Sequence, residues 1–339
     1  MERKRYLEID YLRVLSMFGV FLIHTYSYIN IEIIQKIVLK LGIGNMVACF
    51  FVISGFLAFA SADGENARKY YMNRVLRIYL VYWITFHINL YIYCFLLKQL
   101  EFNWWRYFVG ILGLQMAIPS HNYMWNGLGA SGALSAFIVF YLLVPIFRKK
   151  IRTKEQAFYT LFGGIVLCNL IRYVMTYTLT GYGDSGKWVA YYSPQSNMWY
   201  FLVGIVLWFI KDKVKMKYIL IEVLGIIMSL VMENRYDTYA FYSCCTALGL
   251  SIYWMCRKGE LPYIKGTKFW VKIGYAFWLV HPIVLTLLQT YCERMKYVSE
   301  KCEYFDWLLI LGLSLAGAWL LTEISNQIVK RSNVKWMDS

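Results

Sequence analysis

Arg13 and His24 are the residues of this 339-residue chain best placed for chemistry. They lie eleven residues apart in the first long apolar stretch, with Asp10 three residues ahead of the arginine. Eleven residues make about three turns of α-helix, so both side chains share a face, and Asp10 leads the same stripe. Ionisable groups inside a membrane span are costly and mark substrate or proton paths. Imidazole titrates near pH 6.5, which suits a base that takes a proton from a weak nucleophile such as a hydroxyl. His24 would lie about 21 Å along the helix from Asp10, beyond the middle of a core about 30 Å thick.

Arg74 and Arg77 form the second candidate group. Three residues apart, they share a helix face at the entry to a later apolar segment. Guanidinium forks and a helix N-terminus both suit phosphate oxygens. The competing reading of the same pair is ordinary loop charge on the cytoplasmic side of a membrane.

The elements that must position these groups are membrane helices. The chain is 59% hydrophobic, with a mean hydropathy of +0.45. Soluble domains run about 45–50% apolar. Only helices satisfy their own backbone groups in hydrocarbon while producing unbroken apolar runs. The patterning predicts an all-α, polytopic helix bundle and a single integral-membrane domain over residues 1–339. Ten spans are predicted near residues 10–28, 44–61, 76–97, 130–147, 157–180, 197–211, 218–233, 239–256, 272–290 and 306–329. Residues 104–118 are apolar but too short to cross, and are predicted to form one re-entrant or interfacial helix on the outer side.

The net charge of +15 raises nucleic acid as a partner, and its distribution argues against it. With these spans, most of the 35 Lys and Arg fall on the two termini and the even-numbered loops, as in Arg148-Lys-Lys150 and Lys211 to Lys217. That is the positive-inside pattern, with both termini cytoplasmic and the surplus charge facing anionic lipid. Many Trp and Tyr fall at span ends, as interface anchoring requires. The basic, apolar N-terminus imitates a signal peptide, but Asp10 and Arg13 interrupt it and no small-residue cleavage site follows.

Of the remaining histidines, His281 sits mid-span and is a candidate pocket residue, weighed against a satisfied core histidine. His87 carries no motif and reads as structural, and His121 reads as a solvated loop residue. The glycines of Gly181-Tyr-Gly-Asp-Ser-Gly186 follow a membrane helix rather than a strand, so they read as a loop and not as a nucleotide site. Six of the eight cysteines fall inside spans as small buried residues without metal-ligand spacing, and no metal site is expected. Cys292 and Cys302 share a loop in which a disulfide could form.

Taken in order along the chain, these motifs resemble the membrane acyltransferase-3 family. The resemblance rests on Asp10-x-x-Arg13-x10-His24, Phe50-Phe-Val-Ile-Ser54-Gly-Phe56 and Arg74-x-x-Arg77. Looser matches are Tyr141-Leu-Leu-Val-Pro145 and Ile273-Gly-Tyr-Ala-Phe-Trp-Leu-Val-His281. The match runs over residues 6–325. It implies a bacterial inner-membrane enzyme that moves an acyl group, typically acetyl, from cytoplasmic acyl-CoA to a hydroxyl of a cell-envelope glycan or lipid-linked sugar. It implies a catalytic role for His24, supported by Arg13 and Asp10, and donor-phosphate contacts by Arg74 and Arg77. Ser54, Tyr141 and His281 would line the pocket. Acetyl-CoA enters as a co-substrate, and no permanently bound cofactor is expected.

The chain also departs from the family pattern. Residues 131–140 lack the Trp and Glu that many members carry, and Ala276 and Trp278 replace the usual Ser and Tyr. No esterase-like domain follows the spans. No His is followed by Asp five positions later, which argues against the soluble type of glycerolipid acyltransferase. The rival from another class is a transporter or flippase of an envelope precursor, for which an intramembrane Arg and His serve equally well. Against it, no internal repeat and no matched pair of broken helices is visible.

Overall fold

The computed structural model describes residues 6–29, 31–33, 35, 38, 46–60, 70–71, 78–118, 131–178, 193–212, 249, 251, 262–292, 295 and 304–331. All regular elements among them are helical. They are α1 (Leu7–Thr25, continued by a 3-10 turn over Tyr26–Tyr28), α2 (Met46–Ala60), α3 (Leu80–Tyr91, continued as a π turn over Ile92–Leu96) and α4 (Trp104–Ile111). There follow α5 (Ser131–Lys150), α6 (Lys154–Thr178), α7 (Pro194–Ile210), α8 (Thr267–Tyr291) and α9 (Tyr304–Arg331).

Four described stretches are long and apolar enough to cross a membrane: Gly132–Lys150, Lys154–Met175, Thr267–Tyr291 and Phe305–Lys330. With the family described below, they make this a multi-pass membrane protein. Eight predicted spans coincide with described helices; the one near 218–233 lies outside the described residues, and of the one near 239–256 only residues 249 and 251 are described. α2 and α7 are shorter than a span needs, at 15 and 17 residues. The predicted helix over 104–118 is cut to eight residues. Gly113 ends it at φ +69, a backbone region that favours glycine, and a Cβ there would lie 2.3 Å from Cδ1 of Ile138. Trp104, Trp105 and Phe108 of α4 stay exposed, as on a helix at an interface.

The chain divides into two compact units, Met1–Phe56 with Ile210–Trp319, and Leu57–Phe209 with Leu320–Ser339. In the second unit, α3 closes the C-terminal end of α4. Three α4-end carbonyls, which have no partner inside the helix, accept bonds from α3 side chains. Tyr82 Oη donates to Gly110 O, Trp83 Nε1 to Ile111 O at 2.8 Å and Tyr79 Oη to Leu112 O at 2.9 Å. On the same unit Arg148 donates to the Ala58 carbonyl and lies over the Tyr70 ring, 4.7 Å from its centroid.

The first unit is organised by α1 against α8, which run parallel. Tyr11 faces the loop ahead of α8, donating to Pro262 O and accepting from Ile264 N–H at 2.9 Å. Further along, Met17 meets Gly274, Phe21 meets Phe277, and Tyr28 Oη accepts from Gln289 Nε2 at 2.8 Å. α9 touches both helices. Its Trp307 donates to Thr25 Oγ1 at 2.9 Å, while Gly317 lies against Val280. A Cβ on Gly317 would lie 2.9 Å from Cγ1 of Val280, the residue before His281. Gly317→Leu should therefore cost about 1–3 kcal/mol through overpacking and displace the His281 turn. Gly312, on the same helix with no atom within 4 Å of its Cβ position, supplies the control. Thermal unfolding in detergent should separate Gly317→Leu from an unchanged Gly312→Leu, and equal melting points would remove this close approach as a constraint.

Candidate active site

α1 is a 19-residue helix with Glu8 and Asp10 in its first turn and His24 in its last. Acidic groups near an N-terminus and a histidine near a C-terminus both complement the helix dipole. Asp10 is buried and ion-pairs with Arg13, Nη1 to Oδ1 3.6 Å, so the charge that begins the stripe is matched within one turn. Arg13 and His24 are separated by about 16 Å along the unbroken helix. Arg13 therefore does not touch the atoms that His24 would act on.

His24 is accessible in otherwise crowded surroundings, between buried Phe21 and Thr25. Its ring centroid lies 5.3 Å from that of His281, the two planes tilted by 44°. The structure thus brings together two histidines more than 250 positions apart in sequence. His281 is sealed, with 1% of its surface exposed. Its Nδ1 is 3.1 Å from the Phe277 carbonyl, which can only accept, so Nδ1 carries the proton of that bond. In the neutral ring this leaves Nε2 as an acceptor, and Nε2 is buried without a hydrogen-bond partner. Pro282 follows directly inside α8 and lacks the N–H that would bond the Trp278 carbonyl one turn back.

Aromatic rings wall this pair. Phe277 stacks on His281 at 5.8 Å and Phe21 meets its edge at 5.9 Å. Trp307 of α9 closes on Phe21 at 5.8 Å, and Phe18 packs on Trp270 at 5.1 Å. The wall leaves His24 as the accessible polar group of this patch, beside a second imidazole with a lone pair unused. Such a pair can accept a proton from a hydroxyl and hold a second polar group next to it.

Of the other expected residues, Ser54 is buried on α2 in the first unit. Tyr141 belongs to the second unit, where its ring stacks on Phe137 at 6.2 Å and meets Phe201 edge-on at 6.5 Å. Arg74, Arg77, His121 and the 181–186 loop lie outside the described residues. His87 is occupied as a structural residue, with Nδ1 2.7 Å from Trp83 O and Nε2 3.1 Å from Tyr107 Oη. Cys292 is a free thiol, and Cys302 lies outside the described residues. No group of three or more His, Cys, Asp or Glu among the described residues could hold a metal ion.

Sequence reasoning passed over Phe21, Phe277, Trp307 and Ser314. Phe21 and Phe277 stand three and four residues ahead of His24 and His281, so helical spacing could have found them. Nothing local marks Trp307 or Ser314.

Comparison with known proteins shows the family. No curated protein and no solved structure matches the chain. The family model for the Acyl_transf_3 acyltransferase domain matches residues 6–323, which takes in α1, α8, most of α9 and both histidines. With nearly its whole length inside that match, the chain belongs to the acyltransferase-3 family and is a membrane acyltransferase.

Proposed function

We propose that the protein moves an acyl group, acetyl in the first instance, from acyl-CoA at the cytoplasmic face to a hydroxyl of a cell-surface polysaccharide or lipid-linked sugar. The observation that carries this reading is the accessible His24 imidazole, its ring 5.3 Å from that of the sealed His281, in a chain matched over residues 6–323 by an acyltransferase family. In the reaction the acceptor oxygen attacks the thioester carbonyl carbon while His24 takes the hydroxyl proton. The tetrahedral intermediate then expels the CoA thiolate, the C–S bond breaks, and the thiolate takes the proton back from His24. The new bond is an oxygen ester, and proton and charge balance over the two steps.

The chain is proposed to lie in a bacterial inner membrane with both termini in the cytoplasm. The Asp10–Arg13 pair then sits toward the cytoplasmic end of α1, and His24 about three turns deeper. A donor held by its phosphates on the inside would reach His24 through its long pantetheine arm. Arg13 acts along that path rather than at the carbonyl.

Purified protein given labelled acetyl-CoA and candidate envelope glycans should release free CoA and label the glycan. Absence of both would return the transporter reading to the front. Arg74 and Arg77 are proposed to hold the donor phosphates. Lysine keeps the charge and loses the bidentate fork. The Arg74→Lys, Arg77→Lys double variant should weaken acetyl-CoA binding by roughly tenfold or more, the loss of one to two charge-assisted bonds. Titration in detergent would measure it, and an unchanged affinity would reduce both residues to topology signals.

A further inference from the structure

Among the described residues of the first unit, three buried side-chain polar atoms have no hydrogen-bond partner: Ser16 Oγ, His281 Nε2 and Ser314 Oγ. Ser16 lies beside the Cys49 thiol, two turns of α1 below His24. The other two belong to one place. Ser314 stands two turns after Trp307 and one turn before Gly317 on α9. Trp307 faces α1 through Thr25 and Phe21, and Gly317 faces α8 through Val280. Successive helical residues turn by about 100°, so Ser314 points between those directions, at the α1–α8 seam. Ser314 lies about 4.5 Å along α9 from Gly317, and His281 about 1.5 Å along α8 from Val280, so both stand within about one turn of the Gly317–Val280 contact.

A serine inside a helix ordinarily returns its hydroxyl to the carbonyl one turn back. Thr25, Thr85 and Thr290 all do so here. Ser314 does not, although it is completely buried. Two buried polar atoms left open beside one helix contact require a partner. His281 Nε2 offers a lone pair, and Ser314 can give or take a hydrogen bond. Phe21 and Phe277 pack on His281, and Ile310 lies one turn before Ser314; all three are essentially fully buried, an apolar setting that suits a small neutral group and excludes an ion.

We propose that Ser314 and His281 Nε2 form a binding slot for a hydroxyl of the acceptor. This hydroxyl donates to Nε2, bonds Ser314 Oγ, and neighbours the hydroxyl that reacts at His24. The slot rests on the acyltransferase reading and narrows it, because it selects acceptors with adjacent hydroxyls, as in a sugar ring, over simple alcohols. A water molecule offers the same chemistry, so the test separates the two sources.

Membranes of the source cells, carrying either wild-type protein or Ser314→Ala at matched levels, should be given labelled acetyl-CoA. Transfer is followed against both acetyl-CoA and membrane-acceptor concentration, and melting temperature is measured on the purified chains. The expected result is a rise of roughly 3–10-fold in the KM for the acceptor, the loss of one neutral hydrogen bond, with the KM for acetyl-CoA unchanged. Unchanged kinetics with a lowered melting temperature would mean a structural water only, and would overturn the proposal. Unchanged kinetics with an unchanged or raised melting temperature would leave the hydroxyl idle and overturn it equally. A rise confined to the KM for acetyl-CoA would put the slot on the donor side and refute it. If the wild-type chain itself transfers no label, the acyltransferase reading fails first and the slot falls with it.

Discussion

His24→Ala should reduce acyl transfer by 10²–10⁴-fold or more while the protein still folds and inserts. The activity loss follows from the role. Removing a general base typically costs about 10²–10⁴ in rate, because the acceptor hydroxyl must then surrender its proton unaided. Stability should change little. His24 is accessible, no hydrogen bond ties it to a described residue, and its ring meets only that of His281. Deleting a polar side chain from an apolar helix does not raise its cost of insertion. The rate lost therefore reports chemistry rather than folding. Its size separates two mechanisms. Direct attack by the acceptor leaves measurable residual transfer in the alanine variant. An acyl-histidine intermediate leaves none, and would be seen as label bound to the wild-type protein in the absence of acceptor. Acetyl transfer at matched protein levels is the measurement. Wild-type turnover in His24→Ala would remove His24 as the base and end the mechanism proposed for this site.

What the sequence allowed to be read differed from residue to residue, for physical reasons. The stripe of Asp10, Arg13 and His24 follows from helical period alone, and α1 carries all three without a break. The ion pair of Asp10 with Arg13 is the ordinary outcome of a spacing of three. Pairing His24 with His281 needed a fold, since no local rule joins α1 to α8. A resemblance supplied the candidate, and the ring separation of 5.3 Å supplied the contact. Trp307 and Ser314 were invisible because each takes its meaning from where α9 meets α1 and α8. An apolar helix with two Trp and two Ser reads as any other span. The over-long helix at 104–118 came from reading apolar character as helical length. Gly113 and the carbonyl bonds from Tyr79, Tyr82 and Trp83 stop it early, and only the glycine can be seen in the sequence. Tyr141 packs in an aromatic cluster of the second unit.

His281 should show a graded response that its burial and its two nitrogens dictate. His281→Ala empties a sealed position between Phe21 and Phe277, and the cavity should cost about 2–5 kcal/mol, so activity and melting temperature fall together. That variant alone cannot tell packing from function. Asparagine and glutamine can. Asparagine places its amide near the Nδ1 position, keeping a donor for the Phe277 carbonyl, and has no atom near Nε2. Glutamine reaches the Nε2 position and offers an acceptor there. If Nε2 does nothing but sit in the wall, the two variants should transfer at equal rates once matched for folded protein, because both only lose ring stacking. If Nε2 receives an acceptor hydroxyl, glutamine should outperform asparagine by roughly tenfold, the worth of one buried hydrogen bond at the upper end of its range. The difference should appear in the KM for the acceptor. It should also disappear on a Ser314→Ala background if serine and imidazole bind the same hydroxyl, since two contacts to one group are not independent. Equal rates for Asn and Gln with wild-type acceptor KM would assign His281 to packing, leaving His24 to act without it.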